Sequence, residues 1–161
     1  MTIVISDTGP LNYLVLIDAI DVLSGLFDRV IVPEPVLKEL NHERTPELVR
    51  AWADNLPEWA AVEPVDTEIR ELADIALKVE RGELSAMAIA LQKEYPILID
   101  DRRARKAADE LGLITFGTLA ILEIAACRNW LDFRSSAEKL RAEGFYLTDE
   151  LIEEIAVRLG N

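Results

Sequence analysis

Cysteine, histidine, glycine and proline are all scarce in this chain of 161 residues, and each scarcity excludes something. A single cysteine, Cys127, cannot form an intramolecular disulfide, which fits a reducing compartment. It closes the apolar stretch 119–126 and is expected in the core. With one histidine beside it, no His or Cys ligand set competes for a metal. That histidine, His42, follows Asn41 near a predicted helix end and is expected as a cap or surface residue. Seven glycines and seven prolines argue against disorder and against fibrous or low-complexity classes. They punctuate helix edges and turns and form no linker. No internal repeat is visible. No apolar run approaches the roughly 18 residues that span a bilayer, and no charged leader precedes an apolar block, so no signal peptide and a cytoplasmic location are expected. Basic residues are also in deficit: 17 Lys and Arg against 30 Asp and Glu give a net charge of −13. Such a molecule repels polyanions, which counts against a basic-patch nucleic-acid binder. It leaves room for a nuclease, part of whose negative charge would surround a bound metal.

What is present is half hydrophobic, enough for one core, and one domain over residues 1–161 is expected. Strand and helix patterns alternate, the signature of an α/β domain on a mainly parallel sheet. Strands are predicted at 2–6, 30–32, 59–63, 97–99 and 113–116. Helices are predicted near 11–16 and 19–27, and from Pro33-Glu34-Pro35 onward. A further helix follows an N-cap at Thr45 with Pro46 in its first position and runs to about Asn55. Another runs from Asp66 through about Val79, broken by Arg81-Gly82, and an alanine-rich one from Glu83 to about Glu94. A helix over 103–111 ends at Gly112, and the remainder from 117 to 159 is helical with breaks at Asn129 and Gly144. Trp52, Trp59 and Trp130 are scattered without basic neighbours and are expected as core or interface anchors.

Two apolar runs end in acids. Ile3-Val4-Ile5-Ser6 stops at Asp7, and Ile97-Leu98-Ile99 stops at Asp100-Asp101. Short β-branched runs read as buried parallel strands, and open α/β sheets bind ligands at the carboxyl ends of such strands. Glu39 and Glu83 lie on predicted helices between them. Taken singly, Asp7 reads equally as a helix cap, Glu39 as solvated, Glu83 as favoured by a helix dipole, and Asp100-Asp101 as an N-cap. Together, four carboxylates suit a hard cation, Mg²⁺ or Mn²⁺, and hence phosphodiester hydrolysis. Arg102, Arg103, Arg105 and Lys106 form a basic strip beside the acidic pair, readable as a solvated face or as a backbone-phosphate contact.

The motifs in order resemble those of PIN domains. They are Val4-Ile5-Ser6-Asp7-Thr8-Gly9-Pro10-Leu11, Val32-Pro33-Glu34-Pro35-Val36-Leu37-Lys38-Glu39, Gly82-Glu83-Leu84-Ser85-Ala86, and Leu98-Ile99-Asp100-Asp101-Arg102-Arg103-Ala104-Arg105. Gly117-Thr118-Leu119 and Glu143-Gly144-Phe145 complete the set. The chain is similar to a PIN-like subfamily of prokaryotic proteins related to VapC toxins. That resemblance implies a three-layer α/β/α fold and a Mg²⁺- or Mn²⁺-dependent ribonuclease. Asp7 and one of Asp100 or Asp101 would bind the metal directly and Glu39 and Glu83 directly or through water, with Thr8 orienting Asp7 or a metal water and Thr118 within reach of the crevice. Arg102, Arg103, Arg105 and Lys106 would hold the RNA backbone. Expected partners are an RNA substrate, an antitoxin protein and a second copy of the chain. Ser85 departs from the family, standing where many PIN domains carry an acid, and Gly9-Pro10 replaces the more usual serine or small residue after the first Asp-Thr. The alternative expectation is a catalytically degenerate PIN-like module that acts through protein partners. Two other enzyme classes lack their residues here: no lysine follows the last strand, as a receiver domain requires, and Gly9 occupies the position of a dehalogenase-type phosphatase's second Asp.

Overall fold

The computed structural model describes residues 2–66 and 72–161. Its strands are β1 (Ile3–Ser6), β2 (Arg29–Pro33), β3 (Ala60–Glu63), β4 (Ile97–Leu98) and β5 (Thr115–Phe116). They form one sheet in the order β3-β2-β1-β4-β5, every neighbouring pair parallel. Nine helices are seen among the described residues: α1 (Thr8–Leu16), α2 (Val22–Leu26), α3 (Glu34–Leu40), α4 (Glu47–Asp54), α5 (Arg81–Lys93), α6 (Arg102–Glu110), α7 (Thr118–Cys127), α8 (Phe133–Ala142) and α9 (Asp149–Arg158).

A parallel sheet covered on both faces needs strands that are apolar on both faces, which is why they read as continuous runs. Val4, Val30, Val32 and Leu98 pack into one core with α1, α4, α7, α8 and α9. Their neighbours Ile5, Ile31, Ile97 and Ile99 pack on the opposite face against α5 and α6. The small side chains Ala86, Ala88, Ala90, Ala104, Ala107 and Ala108 let those two helices lie close to the sheet. The architecture is three-layered, α/β/α.

Strand order sets the position of the crevice. From β1 the chain steps outward to β2 and β3, then crosses back beyond β1 to lay down β4 and β5. β1 pairs β4 with Ile5 opposite Ile97 and Ser6 opposite Leu98, so both strands end at the same edge. The chain leaves β1 into α1 on one layer and β4 into α6 on the other. This reversal of strand order opens a gap at the carboxyl ends.

Several local expectations are corrected. The second helix is only five residues long because α1 closes through left-handed Asp18 (φ 59°), with Ala19 N–H donating to Leu14 O. Pro46 itself is the N-cap of α4, and the Thr45 hydroxyl instead donates to Glu39 O. The helix expected from Asp66 to Val79 lies in part outside the described residues. Residues 72–79 form turns, with bonds of mixed spacing such as Ile75 N–H to Leu72 O and Ala76 N–H to the same oxygen. Arg81-Gly82 does not break a helix but begins α5, because Glu80 caps it. Cys127 is exposed, since the last turn of α7 turns it away from the core. Trp130 is 45% exposed and has a basic neighbour after all, the Arg128 guanidinium 5.1 Å from its ring centroid. Trp52 and Trp59 pack on each other at 6.1 Å. Gly112 (φ +74°) ends α6 as expected, Leu113 N–H returning to Ala108 O. No helix among the described residues is long and apolar enough to cross a membrane.

Candidate active site

Asp7 is the first residue past β1 and the N-cap of α1, in extended conformation. Its N–H still donates to Leu98 O, which carries the β1–β4 ladder up to the crevice and fixes the carboxylate there. The side chain makes no capping bond to α1 and is 9% exposed. Burial pushes its carboxyl up to about pH 8 against the pull of the Thr8 N–H, and the negative fields of Glu83, Glu39 and Glu80 add to the rise.

Glu39 reaches the same place from α3. The Thr8 hydroxyl donates to its Oε2 at 2.5 Å. Its other oxygen, Oε1, would stand 2.8 Å from a Cβ on Gly82, and Asp7 Oδ1 would stand 3.0 Å from that same point. Gly82 in the first turn of α5 is therefore a gap shared by two carboxylates, and any side chain there would displace one of them.

Glu83 is buried beside this gap and forms a reciprocal capping box with Glu80. Glu80 N–H donates to Glu83 Oε1 at 2.8 Å, and the Glu80 carboxylate accepts from the Glu83 N–H. Burial raises the Glu83 carboxyl; the Glu80 N–H opposes this, and Asp101, Glu80 and Glu39 reinforce it. Ser85 turns away from the carboxylates, its hydroxyl donating to Arg81 O.

Asp100 enters from β4. It accepts from the Thr118 N–H at 2.7 Å through Oδ1 and from the Thr118 hydroxyl at 2.6 Å through Oδ2. A Cβ on Gly9, two residues past Asp7, would lie 3.9 Å from Asp100 Oδ2, which places Asp100 against the start of α1. Burial raises its carboxyl, opposed by both Thr118 bonds and then by Arg105. Asp101 is exposed and caps α6 by accepting from the Ala104 N–H at 2.9 Å, while its charge still reaches Glu83. Alternation past the strand end gives the neighbours different partners.

The structure thus gathers Asp7, Thr8, Glu39 and Glu83 on one side of the crevice and Asp100 with Thr118 on the other. Glu80 and Gly82 belong to the first group and were not anticipated. The Glu80-to-Glu83 spacing is the signal for the first, since acid three residues after a capping residue marks a helix start. Among the described residues no three acidic, His or Cys side chains already form a ready-made ligand cluster. In chemistry, however, the donor set fits a hard divalent cation: all its donors are carboxyl or hydroxyl oxygens, and its carboxylates repel one another.

The basic strip divides. Arg102, Arg105 and Lys106 line a cleft of about 630 Å³ that opens on Asp100. Arg103 lines a second groove, with Leu77 and Glu110, and Lys106 stands between the two, lining both. His42 is exposed and accepts from the Arg44 N–H, away from the carboxylates.

Compared with curated proteins, the chain has no significant match. A family model described as a PIN domain matches residues 3–161. PIN domains are a nuclease-type fold whose enzymes typically use divalent metals. With almost every residue matched and the crevice where the strand order predicts it, the chain belongs to the PIN-domain family.

Proposed function

We propose that the protein is a Mg²⁺- or Mn²⁺-dependent endoribonuclease. The observation that supports it most is the convergence of Glu39 Oε1 and Asp7 Oδ1 on the gap at Gly82, with Asp7 and Glu83 both buried there and burial raising their carboxyls. A protein gains nothing structural from burying such a group, whereas a cation would relieve the repulsion. Asp7, Glu39, Glu83 and Asp100 would hold the ion. When bound, it would polarise a phosphoryl oxygen and acidify an attacking water. Thr8 orients Glu39 rather than Asp7, and Thr118 orients Asp100 through both carboxyl oxygens. Gly82 leaves the gap open, and Arg102, Arg105 and Lys106 draw the RNA backbone toward Asp100.

The test is cleavage of end-labelled single-stranded RNA with Mn²⁺, comparing wild type, Asp7→Asn and wild type with chelator. Cleavage by wild type alone is expected. Cleavage that survives both the substitution and the chelator would sink the reading. The wider reading, that the enzyme is a toxin paired with an antitoxin and acts as a homodimer, follows from the resemblance to VapC toxins. Growth arrest on expression, relieved by Asp7→Asn, is its test.

A second reading, a module that binds partners without cutting, is favoured by the use of Glu83 in a capping box and of both Asp100 oxygens by Thr118. It predicts no Mn²⁺ binding by the folded protein in equilibrium titration.

A further inference from the structure

The five ion pairs among the described residues use Lys93, Arg134, Arg141 and Arg158. Arg102, Arg105 and Lys106 enter none of them, although the chain carries thirteen excess negative charges. All three line the same 630 Å³ cleft, where Asp100 and Asp109 are the acids among the described residues. An aromatic ring stands in the same wall: Tyr146, in the turn between α8 and α9, is 86% exposed. Arg105 leans on Asp100, which leaves Arg102 and Lys106 as the cleft's free cations among the described residues. An exposed tyrosine costs apolar hydration and here holds no packing role, while cations next to a π-face are what single-stranded nucleic acid needs.

We infer that this cleft is a subsite for single-stranded RNA, in which a base stacks on Tyr146 while Arg102 and Lys106 hold the flanking phosphates. The inference deepens the nuclease reading and rests on it for its ligand. Asp100 at the mouth of the cleft would then lie beside the nucleotides next to the cut. Stacking tolerates any base, so the subsite favours unpaired RNA over duplex without reading sequence.

The experiment measures binding of a single-stranded RNA oligonucleotide carrying 2-aminopurine, in chelator, by the full chain. Wild type should quench the fluorophore and bind the strand in preference to the same sequence in a duplex. Tyr146→Ala should lose about tenfold in affinity together with the quench, within the range of one aromatic–base stack, and Tyr146→Phe should keep both. Arg102→Ala should lower the slope of log affinity against log salt by about 0.7, one phosphate contact on a single strand. Arg103→Ala, an equal loss of charge on the other groove, should leave the slope unchanged. Equal effects of Arg102→Ala and Arg103→Ala, an unchanged quench in Tyr146→Ala, or displacement of the RNA by polyglutamate as readily as by unlabelled RNA would each overturn the subsite. Cleavage of the same RNA with Mn²⁺ is followed in parallel. Cleavage without Tyr146-dependent binding overturns the subsite and leaves the nuclease standing; Tyr146-dependent binding without cleavage supports the subsite and removes the nuclease.

Discussion

Replacing Asp7 by Asn should make the metal-free protein more stable, and increasingly so as pH rises. In the unfolded chain the carboxyl ionises near 3.8; in the fold, burial and the three glutamates push it up to about 8. Between those values the native state holds a proton that the unfolded state has released. Stability from this group is therefore complete below the unfolded value and is lost as pH climbs toward 8. The loss is about 1.4 kcal/mol per pH unit, or about 3 kcal/mol between roughly pH 5 and pH 7. Asparagine has nearly the same shape and does not titrate. Glu83 and Asp100, whose carboxyls are also raised, remain in the variant and cancel in the comparison. The assay is urea unfolding in chelator, followed by far-ultraviolet circular dichroism across that pH range. The two stability curves should diverge by about 3 kcal/mol, equivalent at this chain length to a Tm difference on the order of 6–12 °C. Excess Mn²⁺ at neutral pH should then stabilise wild type and leave the variant unmoved, because a cation takes the place of the proton. Parallel curves, or a variant that loses ground as pH rises, would refute the electrostatic account of the site.

Gly82→Ala should abolish tight Mn²⁺ binding while the protein still folds, because its Cβ would stand 2.8 Å from Glu39 Oε1 and 3.0 Å from Asp7 Oδ1; isothermal titration checks it. Thr118→Val keeps the N–H bond to Asp100 but removes the hydroxyl bond. It should cost about 1 kcal/mol and raise the Asp100 carboxyl further, moving the acid limb of an RNA-cleavage pH profile upward. Glu83→Ala removes one half of the capping box and should destabilise by about 1 kcal/mol in urea unfolding, whereas Glu83→Gln, which keeps an acceptor for the Glu80 N–H, should not.

The sheet was legible because its chemistry is local: Val4-Ile5 and Ile97-Leu98-Ile99 must be buried on both faces and can hardly be anything but inner parallel strands. The positions of Asp7 and of the Asp100-Asp101 pair were legible for the same reason, since a strand end in an open sheet defines where its next residue lies. What could not be read was direction and partnership. The sequence leaves Asp100 and Asp101 equivalent, and they separate only when the Gly117-Thr118 turn supplies two donors to the first and the α6 N-terminus takes the second. Arg81-Gly82 looked like a helix break because glycine is a poor helix former. The gain that outweighs this, room for Glu39 and Asp7, comes from residues more than forty positions away. The division of the basic strip is likewise tertiary: Arg102 and Arg103 are neighbours in sequence but project into different grooves. Cys127 failed as a core residue because apolar composition along α7 does not say which side of its last turn faces out.

The cost of the crevice also bears on its use. Every bond that could quieten the carboxylates is directed at an edge of the group: Thr8 to Glu39, the Glu80 N–H to Glu83, Thr118 to Asp100. Among the described residues Asp7, buried like Glu83, gets only the adjacent Thr8 N–H, and no cationic side chain there offsets its repulsion. A structural acid in that position would be paired with arginine or replaced by an amide, either of which is cheaper than an unpaired buried carboxyl. Arg102, Arg105 and Lys106 sit beyond Asp100, in the cleft, where they would meet a polyanion and not neutralise Asp7. Negative charge at the bottom and positive charge at the entrance is the order required if a small cation occupies the first and a phosphate chain approaches over the second. A net charge of −13 is therefore compatible with a nucleic-acid substrate, because the sign that matters is the local one along the path of approach.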